Sequence, residues 1–167
     1  STGAHSILYG MAGDNVEGAS VILPDGGEAR LRPFTKGMTP KPGGAEGELI
    51  SKLAHIKNEF SGIIETEFPK HWRRASGYSL NYFLEEPFNP ARLLAGSEGT
   101  LGIASELTLK LVPRPKHTRL AVLEFGSVVS AMEAVTPILT RFPSAVELID
   151  SMIIGLARKL PGFGRRL

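Results

Sequence analysis

The sequence predicts an α+β fold in which a mostly antiparallel sheet is flanked by helices. Residues 17–32 hold two short segments around the turn sequence P-D-G-G, a pattern typical of a β-hairpin. Residues 45–68 repeat apolar side chains at three- and four-residue steps, which predicts one long helix. Residues 104–112 alternate apolar and polar side chains, as a strand does.

Composition limits the classes of function. The chain has 167 residues, enough for one ordinary domain or two small units, and its net charge is +2. The absence of cysteine excludes disulfides, thiol catalysis and cysteine-ligated iron–sulfur clusters from this chain. The tight basic pairs Arg73-Arg74 and Arg165-Arg166 lie in no aromatic-rich stretch, so we expect no nucleic-acid partner. No apolar run is long enough for a membrane span.

The first half of the chain combines glycine- and proline-rich segments with one hairpin and one long helix. Glycines interrupt residues 1–14, where Ile7 to Tyr9 could form one short strand. The hairpin over 17–32 is interpreted as structural, without ligand contacts, and residues 33–44 are predicted to be a loop. The helix over 45–68 ends at Pro69 and serves packing. Its predicted inward residues are Leu49, Ile50, Leu53, Ile56, Phe60, Ile63, Ile64 and Phe68, and its predicted outward residues are Lys52, Lys57 and Glu59.

The character of the sequence changes after a rigid, proline-rich linker at residues 113–116. Thr118 to Phe125 is nearly continuously apolar and predicts a strand. Ser127 is a candidate N-cap for a helix that Pro137 kinks or ends, with Val128, Met132, Val135 and Leu139 inward. Ala145 to Ile154 alternates weakly and completes a strand–helix–strand order.

A glycine-rich loop, residues 96–102, is the most informative stretch. Three glycines in seven residues permit positive φ and close approach of a bulky ligand, and two hydroxyl side chains lie beside the backbone amides. The following residues Ile103, Leu107, Leu109 and Leu111 are predicted to share one face of a strand. A ligand-binding loop and a plain tight turn ahead of an edge strand both fit the spacing. No G-x-G-x-x-G opens a helix and no phosphate-binding P-loop is present.

The residue identities in several motifs are more specific than the spacing of their glycines and apolar residues. G-S-E-G-T-L-G-I at residues 96–103 resembles the second flavin-contacting segment of FAD-linked oxidases with a vanillyl-alcohol-oxidase (PCMH) type FAD domain. That family includes D-lactate, glycolate and D-2-hydroxyglutarate dehydrogenases. Tyr9, Gly10, Asp14 and Val16 match its Y-G-x-x-x-D-x-V motif, which closes the first flavin-binding loop. W-R-R-A-S-G-Y at residues 72–78 is similar to the version in large members with an added iron–sulfur module.

The resemblance implies a domain organisation. Residues 1–113 would be the C-terminal part of the PCMH-type FAD domain, that is, its second FAD-binding subdomain. Residues 117–167 would be the truncated beginning of a ferredoxin-like substrate domain, because A-V-E-L-I-D at 145–150 fits that domain's A-x-E-L-x-D stretch. The chain begins with Ser rather than Met, so we expect an internal piece of a longer protein.

The resemblance also implies site residues. The expected FAD contacts are Ser1, Thr2, Gly3, Ala4, Tyr9, Gly10, Gly96, Ser97, Glu98, Gly99, Thr100, Leu101, Gly102 and Ile103. We expect valine at Gly99 or Gly102 to abolish FAD binding while leaving the fold nearly intact. The expected substrate residues are Arg73, Arg74 and Tyr78, because a guanidinium can bind a carboxylate through forked hydrogen bonds. Pairing of these arginines with surface acids is the competing interpretation.

The function implied by the resemblance is FAD-dependent oxidation of a D-2-hydroxy acid, by hydride transfer from the α-carbon to the flavin. The alternative is an isolated, non-catalytic scaffold unit that does not retain FAD. The four histidines lack metal-ligand spacing, so no metal site is predicted, and His5 is a weak candidate for a base that the sequence leaves unassigned. The expected partners are a small 2-hydroxy acid and the remaining parts of the same protein. The expected compartment is the cytoplasm, with peripheral membrane association left open. The hydroxy acid, the electron acceptor and the oligomeric state are not assigned.

Overall fold

The computed structural model describes residues 3–34, 43–74 and 76–161, which divide into two compact units. The first unit comprises Ser1–Gly3 and Gly10–Val112, and the second comprises Ala4–Tyr9 and Pro113–Leu167. Most of the predicted loop over 33–44 lies outside the described residues, as do Ser1 and Thr2. The assignment of residues 1–113 and 117–167 to two family domains stays a prediction.

A three-stranded antiparallel sheet forms the centre of the first unit. Its strands are β1 (Val16–Ile22), β2 (Glu28–Leu31) and β3 (Ile103–Leu109), in the spatial order β2-β1-β3. The hairpin forms because Asp25 accepts a hydrogen bond from the Gly27 amide at 2.9 Å and Gly26 adopts φ 82°. The predicted α+β class, the hairpin and the third strand are confirmed.

A β-bulge at Ser105 interrupts the pairing of β3 with β1. Its neighbours Ala104 and Glu106 are paired with two consecutive β1 residues, Val21 and Ser20, so Ser105 has no partner of its own. The Ser105 hydroxyl instead donates to the Ser20 carbonyl at 3.2 Å. The bulge therefore reverses the alternation of side chains along β3.

This reversal corrects one sequence prediction. Ile103 lies opposite Ile22, whereas Leu107 lies opposite Ala19, and Ile22 and Ala19 project from different faces of β1. Ile103 and Leu107 consequently lie on different faces of the sheet rather than on one. Leu111, predicted to continue the same face, lies beyond the end of β3 and is exposed.

The long helix α2 (Gly44–Glu67) packs on the sheet and confirms the predicted helix. The core between them consists of Val16, Ala19, Val21, Ala29, Leu31, Ile50 and Ala91. A second cluster lies under the later turns of the helix and consists of Ile64, Tyr82, Phe83, Phe88 and Leu93. Each cluster therefore draws on a different end of α2.

The predicted apolar face of α2 is only partly covered. Ile50 and Ile64 are buried, but Ile56, Phe60 and Ile63 are exposed. The 24 residues of the helix span about 36 Å, more than the roughly 23 Å of a seven-residue strand, so part of its face extends past the sheet. Lys57, predicted to point outward, instead donates to the carbonyls of Phe83 and Glu85 at 2.5 and 3.0 Å.

The second unit contains the helices α1 (Ser6–Tyr9), α3 (Val128–Leu139) and α4 (Ser151–Arg158). The predicted cap of α3 is confirmed, since the Ser127 side chain accepts from the Ser130 amide at 3.1 Å. Pro137 is accommodated in the last turn of α3, where the helix ends within two residues.

Three strand predictions in the second unit are wrong. Ile7–Tyr9 lies in the single helical turn α1, and residues 151–154 begin α4 after an N-cap from Asp150, whose carboxylate accepts from Ile153 at 2.8 Å. Thr118–Phe125 forms no strand, because none of the described residues pairs with it. Among the described helices, none is both long and apolar enough to cross a membrane.

Candidate cofactor and substrate site

The glycine loop joins the short 3₁₀ helix Pro90–Leu94 to β3. Its two hydroxyl residues bond to the loop's own backbone. The amide and hydroxyl of Ser97 donate to the Leu94 carbonyl at 3.1 and 2.9 Å, and those of Thr100 donate to the Ser97 carbonyl at 3.0 and 2.6 Å. Ser97 is buried as a result. The loop is thus held by two successive turns, each closed by a backbone and a side-chain hydrogen bond.

The glycines of the loop have the positive φ angles that the sequence predicts. The values are 87° at Gly96, 80° at Gly99 and 152° at Gly102, and Glu98 between them also has φ 53°. A side chain added at Gly99 would meet no atom within 4 Å, so this part of the backbone is open to a ligand. At Gly102 an added Cβ would lie 2.9 Å from the Ile22 carbonyl oxygen, which makes that glycine a close contact with β1.

The tip of the loop presents unpaired donors. Within the described ranges, the amides of Glu98 and Gly99 donate to no backbone carbonyl, and both residues are exposed. Two adjacent exposed amides that donate to no backbone carbonyl can bind the oxygen atoms of an anionic ligand. This geometry fits a cofactor that carries phosphate or carbonyl oxygens, such as FAD.

Asn89 fixes the entry to the loop, and the sequence analysis did not single it out. Its side chain is buried, donates to the carbonyls of Val16 and Glu17 at 3.0 and 3.2 Å, and accepts from the Ala91 amide at 3.1 Å. It therefore caps the 3₁₀ helix that leads into the loop and ties that helix to β1. The Asn-Pro sequence at 89–90 is a helix-start signal that could have revealed this role.

The predicted substrate segment contacts the glycine loop through Tyr78. The Tyr78 hydroxyl lies 2.7 Å from Thr100 Oγ1. Gly77, with φ 70°, turns the chain immediately before the tyrosine. Tyr78 remains 43% exposed, so a ligand can reach its ring and hydroxyl. The structure thus brings one predicted substrate residue together with one predicted cofactor residue.

The two arginines of this segment have different environments. Arg74 donates to the carbonyls of Pro69 and His71 at 3.3 and 2.9 Å and lies over the Phe68 ring, 5.4 Å from its centroid. Arg73 is exposed, lies over Trp72 at 5.0 Å, and makes one long bond to the Gly3 carbonyl at 3.4 Å. Neither forms an ion pair with a described acidic residue. Backbone carbonyls therefore hold Nη1 of the partly buried Arg74, whose Nε is buried with no described partner, while Arg73 is exposed and has donors to offer.

The turn over residues 10–15, part of the motif that resembles the first flavin loop, is fixed by Asp14. Its carboxylate accepts from the Met11 amide at 2.7 Å and from the Tyr82 hydroxyl at 2.9 Å. Tyr82 is buried, and burial together with this hydrogen bond raises the pKa of its hydroxyl. Gly13 lies against the same ring, where an added Cβ would clash with the Tyr82 hydroxyl. Tyr82 was not among the site residues predicted from the sequence.

The remaining predicted site residues belong to both units. Gly10 has φ 77° and lies in the first unit, whereas Ala4 and Tyr9 lie in the second. Within the second unit, His5 Nδ1 lies 3.2 Å from the Ser144 carbonyl. No three His, Cys, Asp or Glu side chains in the described ranges are grouped as a metal site would require.

A groove of about 870 Å³ lies elsewhere in the first unit and contains none of the predicted site residues. It runs along the polar face of the sheet, where Arg30 and Arg32 lie among the carboxylates of Glu17, Glu85 and Glu106. Charges of both signs line it, so it is not built for a ligand of one charge.

Comparison with known proteins shows relatives of this sequence. A D-2-hydroxyglutarate dehydrogenase of Pantoea ananatis is 30% identical over 168 residues, which cover 95% of this chain and 16% of that protein. The mitochondrial D-lactate dehydrogenase [cytochrome] of Arabidopsis thaliana is 26% identical over 155 residues, or 92% of this chain and 19% of that protein. The glycolate oxidase subunit GlcD of Escherichia coli is 38% identical over 77 residues, or 44% of this chain and 15% of that protein. No protein-family model matches the chain.

The relatives that match most of the chain are therefore dehydrogenases of 2-hydroxy acids. The chain belongs to the family that contains the D-2-hydroxyglutarate dehydrogenases, the D-lactate dehydrogenases and GlcD, and the resemblance seen in its motifs is confirmed. It spans about one sixth of the length of the relatives that match most of it.

Proposed function

We propose that the complete protein containing this chain is an FAD-dependent oxidoreductase that oxidises a D-2-hydroxy acid by hydride transfer from the α-carbon to the flavin. The observation that carries the proposal is the similarity of 95% of the chain to a D-2-hydroxyglutarate dehydrogenase at 30% identity. The names of the other relatives keep the substrate within the same class, since they include D-lactate dehydrogenases and a glycolate oxidase subunit.

The glycine loop would hold the cofactor through its exposed backbone. The open space at Gly99 and the unpaired amides of Glu98 and Gly99 support this role. A hydrogen bond from such an amide to a charged oxygen contributes about 1.5–3 kcal/mol. Redox chemistry is what FAD supplies when it is bound, and the loop's part is to place and orient it. The inner turns at Ser97 and Thr100 keep these donors in position.

Arg73 would bind the carboxylate of the hydroxy acid. It is exposed, is not paired with a described acid, and has donors that backbone carbonyls do not consume. Its stacking on Trp72 holds the guanidinium plane while leaving its edge available for a forked carboxylate contact. Arg74, which binds two carbonyls after the end of α2, would instead maintain the local backbone.

The partners of this function are a small 2-hydroxy acid and the parts of the protein that supply the remaining cofactor contacts. We place the protein in the cytoplasm, with peripheral membrane association left open.

An anaerobic titration tests the proposal. The complete protein is purified, its absorption spectrum is recorded, and D-2-hydroxyglutarate, D-lactate and glycolate are added in turn, with L-lactate as the stereochemical control. We expect a bound flavin whose visible absorption is bleached by at least one of the first three acids and not by L-lactate. A protein without flavin when complete, or a flavin that none of the acids reduces, would contradict the proposal.

A further inference from the structure

A directed chain of hydrogen bonds runs from Tyr78 into the glycine loop. The Tyr78 hydroxyl lies 2.7 Å from Thr100 Oγ1, and Thr100 Oγ1 lies 2.6 Å from the Ser97 carbonyl oxygen. The same carbonyl accepts from the Thr100 amide at 3.0 Å. The last atom in this chain of hydrogen bonds is the Ser97 carbonyl oxygen, which can only accept.

The positions of the protons follow from this arrangement. A carbonyl oxygen carries no proton, so Thr100 must donate its single hydroxyl proton to Ser97. The contact between Tyr78 and Thr100 is then a hydrogen bond only if Tyr78 is the donor. The one proton of the Tyr78 hydroxyl is used in that bond, and its oxygen faces a ligand as an acceptor alone. Because the bonds point in one direction, each also strengthens the next.

We infer that Thr100 is a positioning residue that holds Tyr78 as a hydrogen-bond acceptor for the hydroxyl group of the 2-hydroxy-acid substrate. The inference rests on the proposed function. The substrate carries a donor at its second carbon, whereas the 2-keto acid product carries only acceptor oxygens there. An acceptor-only Tyr78 therefore favours the substrate over the product, which gives the exposed tyrosine a part in substrate choice and product release.

Removing the Thr100 hydroxyl should abolish this discrimination. In Thr100→Val the proton of Tyr78 loses its partner and becomes available to an acceptor on the ligand, so the keto acid becomes as acceptable as the hydroxy acid. Thr100→Ser keeps the hydroxyl and should behave as the unsubstituted protein does. Thr108→Val makes the same change on β3, outside the site, and is the matched control.

The test measures binding rather than turnover, in two complexes that cannot react. The flavin-loaded complete protein is titrated in its oxidised form with the keto acid and in its reduced form, without oxygen, with the hydroxy acid. The pair used is D-2-hydroxyglutarate with 2-oxoglutarate, or D-lactate with pyruvate, according to which acid reduces the flavin. Dissociation constants are read from changes in flavin absorbance.

We expect Thr100→Val to raise the ratio of the hydroxy-acid to the keto-acid dissociation constant by about three- to tenfold, because the freed Tyr78 proton can form one neutral hydrogen bond to the keto oxygen. Tyr78→Phe should weaken hydroxy-acid binding similarly and leave the keto acid unchanged. Thr100→Ser and Thr108→Val should match the unsubstituted protein.

The inference would be overturned if Thr100→Val weakened the binding of both ligands equally, or if the ratio of the two dissociation constants were the same in Thr100→Val and Thr108→Val. Either result would leave the proposed function intact. The proposed function fails differently, since the unsubstituted complete protein would then hold no flavin or react with none of the acids, and the inference would fall with it. Thr100→Ser and Tyr78→Phe decide the question if the valine variant does not fold.

Discussion

An ideal Cβ on Gly102 would lie 2.9 Å from the carbonyl oxygen of Ile22. Gly102 is therefore the point at which the glycine loop closes onto β1, and the absence of a side chain there serves the sheet. A Cβ added at Gly99, three residues earlier, would have no atom within 4 Å. Two glycines that look equivalent in the motif thus have different structural surroundings.

We predict that alanine at Gly102 destabilises the protein more than alanine at Gly99. Both substitutions place a side chain at positive φ, which costs about 1–2 kcal/mol. Gly102→Ala must in addition push the loop away from Ile22, which adds about 1–3 kcal/mol. Urea unfolding of the two variants measures the difference, and equal free energies of unfolding would show that the loop relaxes freely. The sequence predicted that valine at Gly102 would leave the fold nearly intact. For that position we now expect the fold to be destabilised as well.

Arg73 and Arg74 should respond differently to lysine in the complete enzyme. Arg73→Lys should lower kcat/KM by about ten- to a hundredfold, since lysine cannot reproduce the forked contact with a carboxylate. Arg74→Lys should lower the free energy of unfolding and change kcat/KM less, because its partners are the Pro69 and His71 carbonyls. Steady-state kinetics and flavin content of both variants provide the comparison. Identical kinetic losses would remove the distinction drawn between the two residues.

Tyr82 should make the stability of the protein depend on alkaline pH. Its raised pKa means that the unfolded tyrosine ionises near pH 10 while the buried one keeps its proton. The contribution is therefore complete below about pH 10 and is lost above it, by up to about 1.4 kcal/mol per pH unit. At neutral pH, Tyr82→Phe should cost about 1–3 kcal/mol through the lost bond to Asp14.

Denaturant unfolding between pH 7 and 11 checks this prediction. The curves of free energy against pH for the unsubstituted protein and Tyr82→Phe should converge as the pH rises above 10. Tyr78→Phe is the control, because the hydroxyl of that tyrosine is exposed and bonds to Thr100 rather than to a carboxylate. Parallel curves would mean that the Tyr82 hydroxyl does not resist ionisation in the folded protein.

Local patterns predicted the first unit well because each element carries its own signals. The turn chemistry of Asp25 and Gly26 fixed the hairpin, and the apolar repeat ended by Pro69 fixed α2. The positive φ angles of the glycine loop followed from its composition. The bulge at Ser105 could not be predicted, since an extra residue in one strand is defined only against its partner.

The errors in the second unit have a common cause. Apolar residues over 118–125 resemble a strand, but a strand needs a neighbour to satisfy its backbone, and none of the described residues provides one. The weak alternation over 145–154 was outweighed by the Asp150 cap. In the candidate site, the residues of the motifs predicted the glycine loop as a cofactor contact and Tyr78 as a substrate residue. The support from Asn89, Asp14 and Tyr82 depends on contacts between distant segments, which spacing does not reveal.

We expect these 167 residues, produced alone, to purify without FAD. A nanomolar site corresponds to about −12 kcal/mol, and half of that free energy would leave a dissociation constant of roughly tens of micromolar. Binding costs the same translational and rotational freedom whichever contacts remain. The dissociation constant of FAD should therefore be larger than this. An absorption spectrum after chromatography checks this. A stoichiometric yellow preparation that survives dialysis would mean that the glycine loop alone provides most of the affinity.

The central claim, that the tip of the glycine loop binds the flavin, is tested most directly by comparing Gly99→Val with Gly26→Val. The two glycines have φ 80° and 82° and no atom within 4 Å of an added Cβ, so valine strains the backbone equally at both. Only Gly99 lies in the loop. The measurement is the FAD dissociation constant of the complete protein after flavin removal. We predict binding at least about a hundredfold weaker in Gly99→Val, the loss of one or two amide bonds to charged oxygens, and unchanged binding in Gly26→Val. Equal affinity in the two variants would contradict the account.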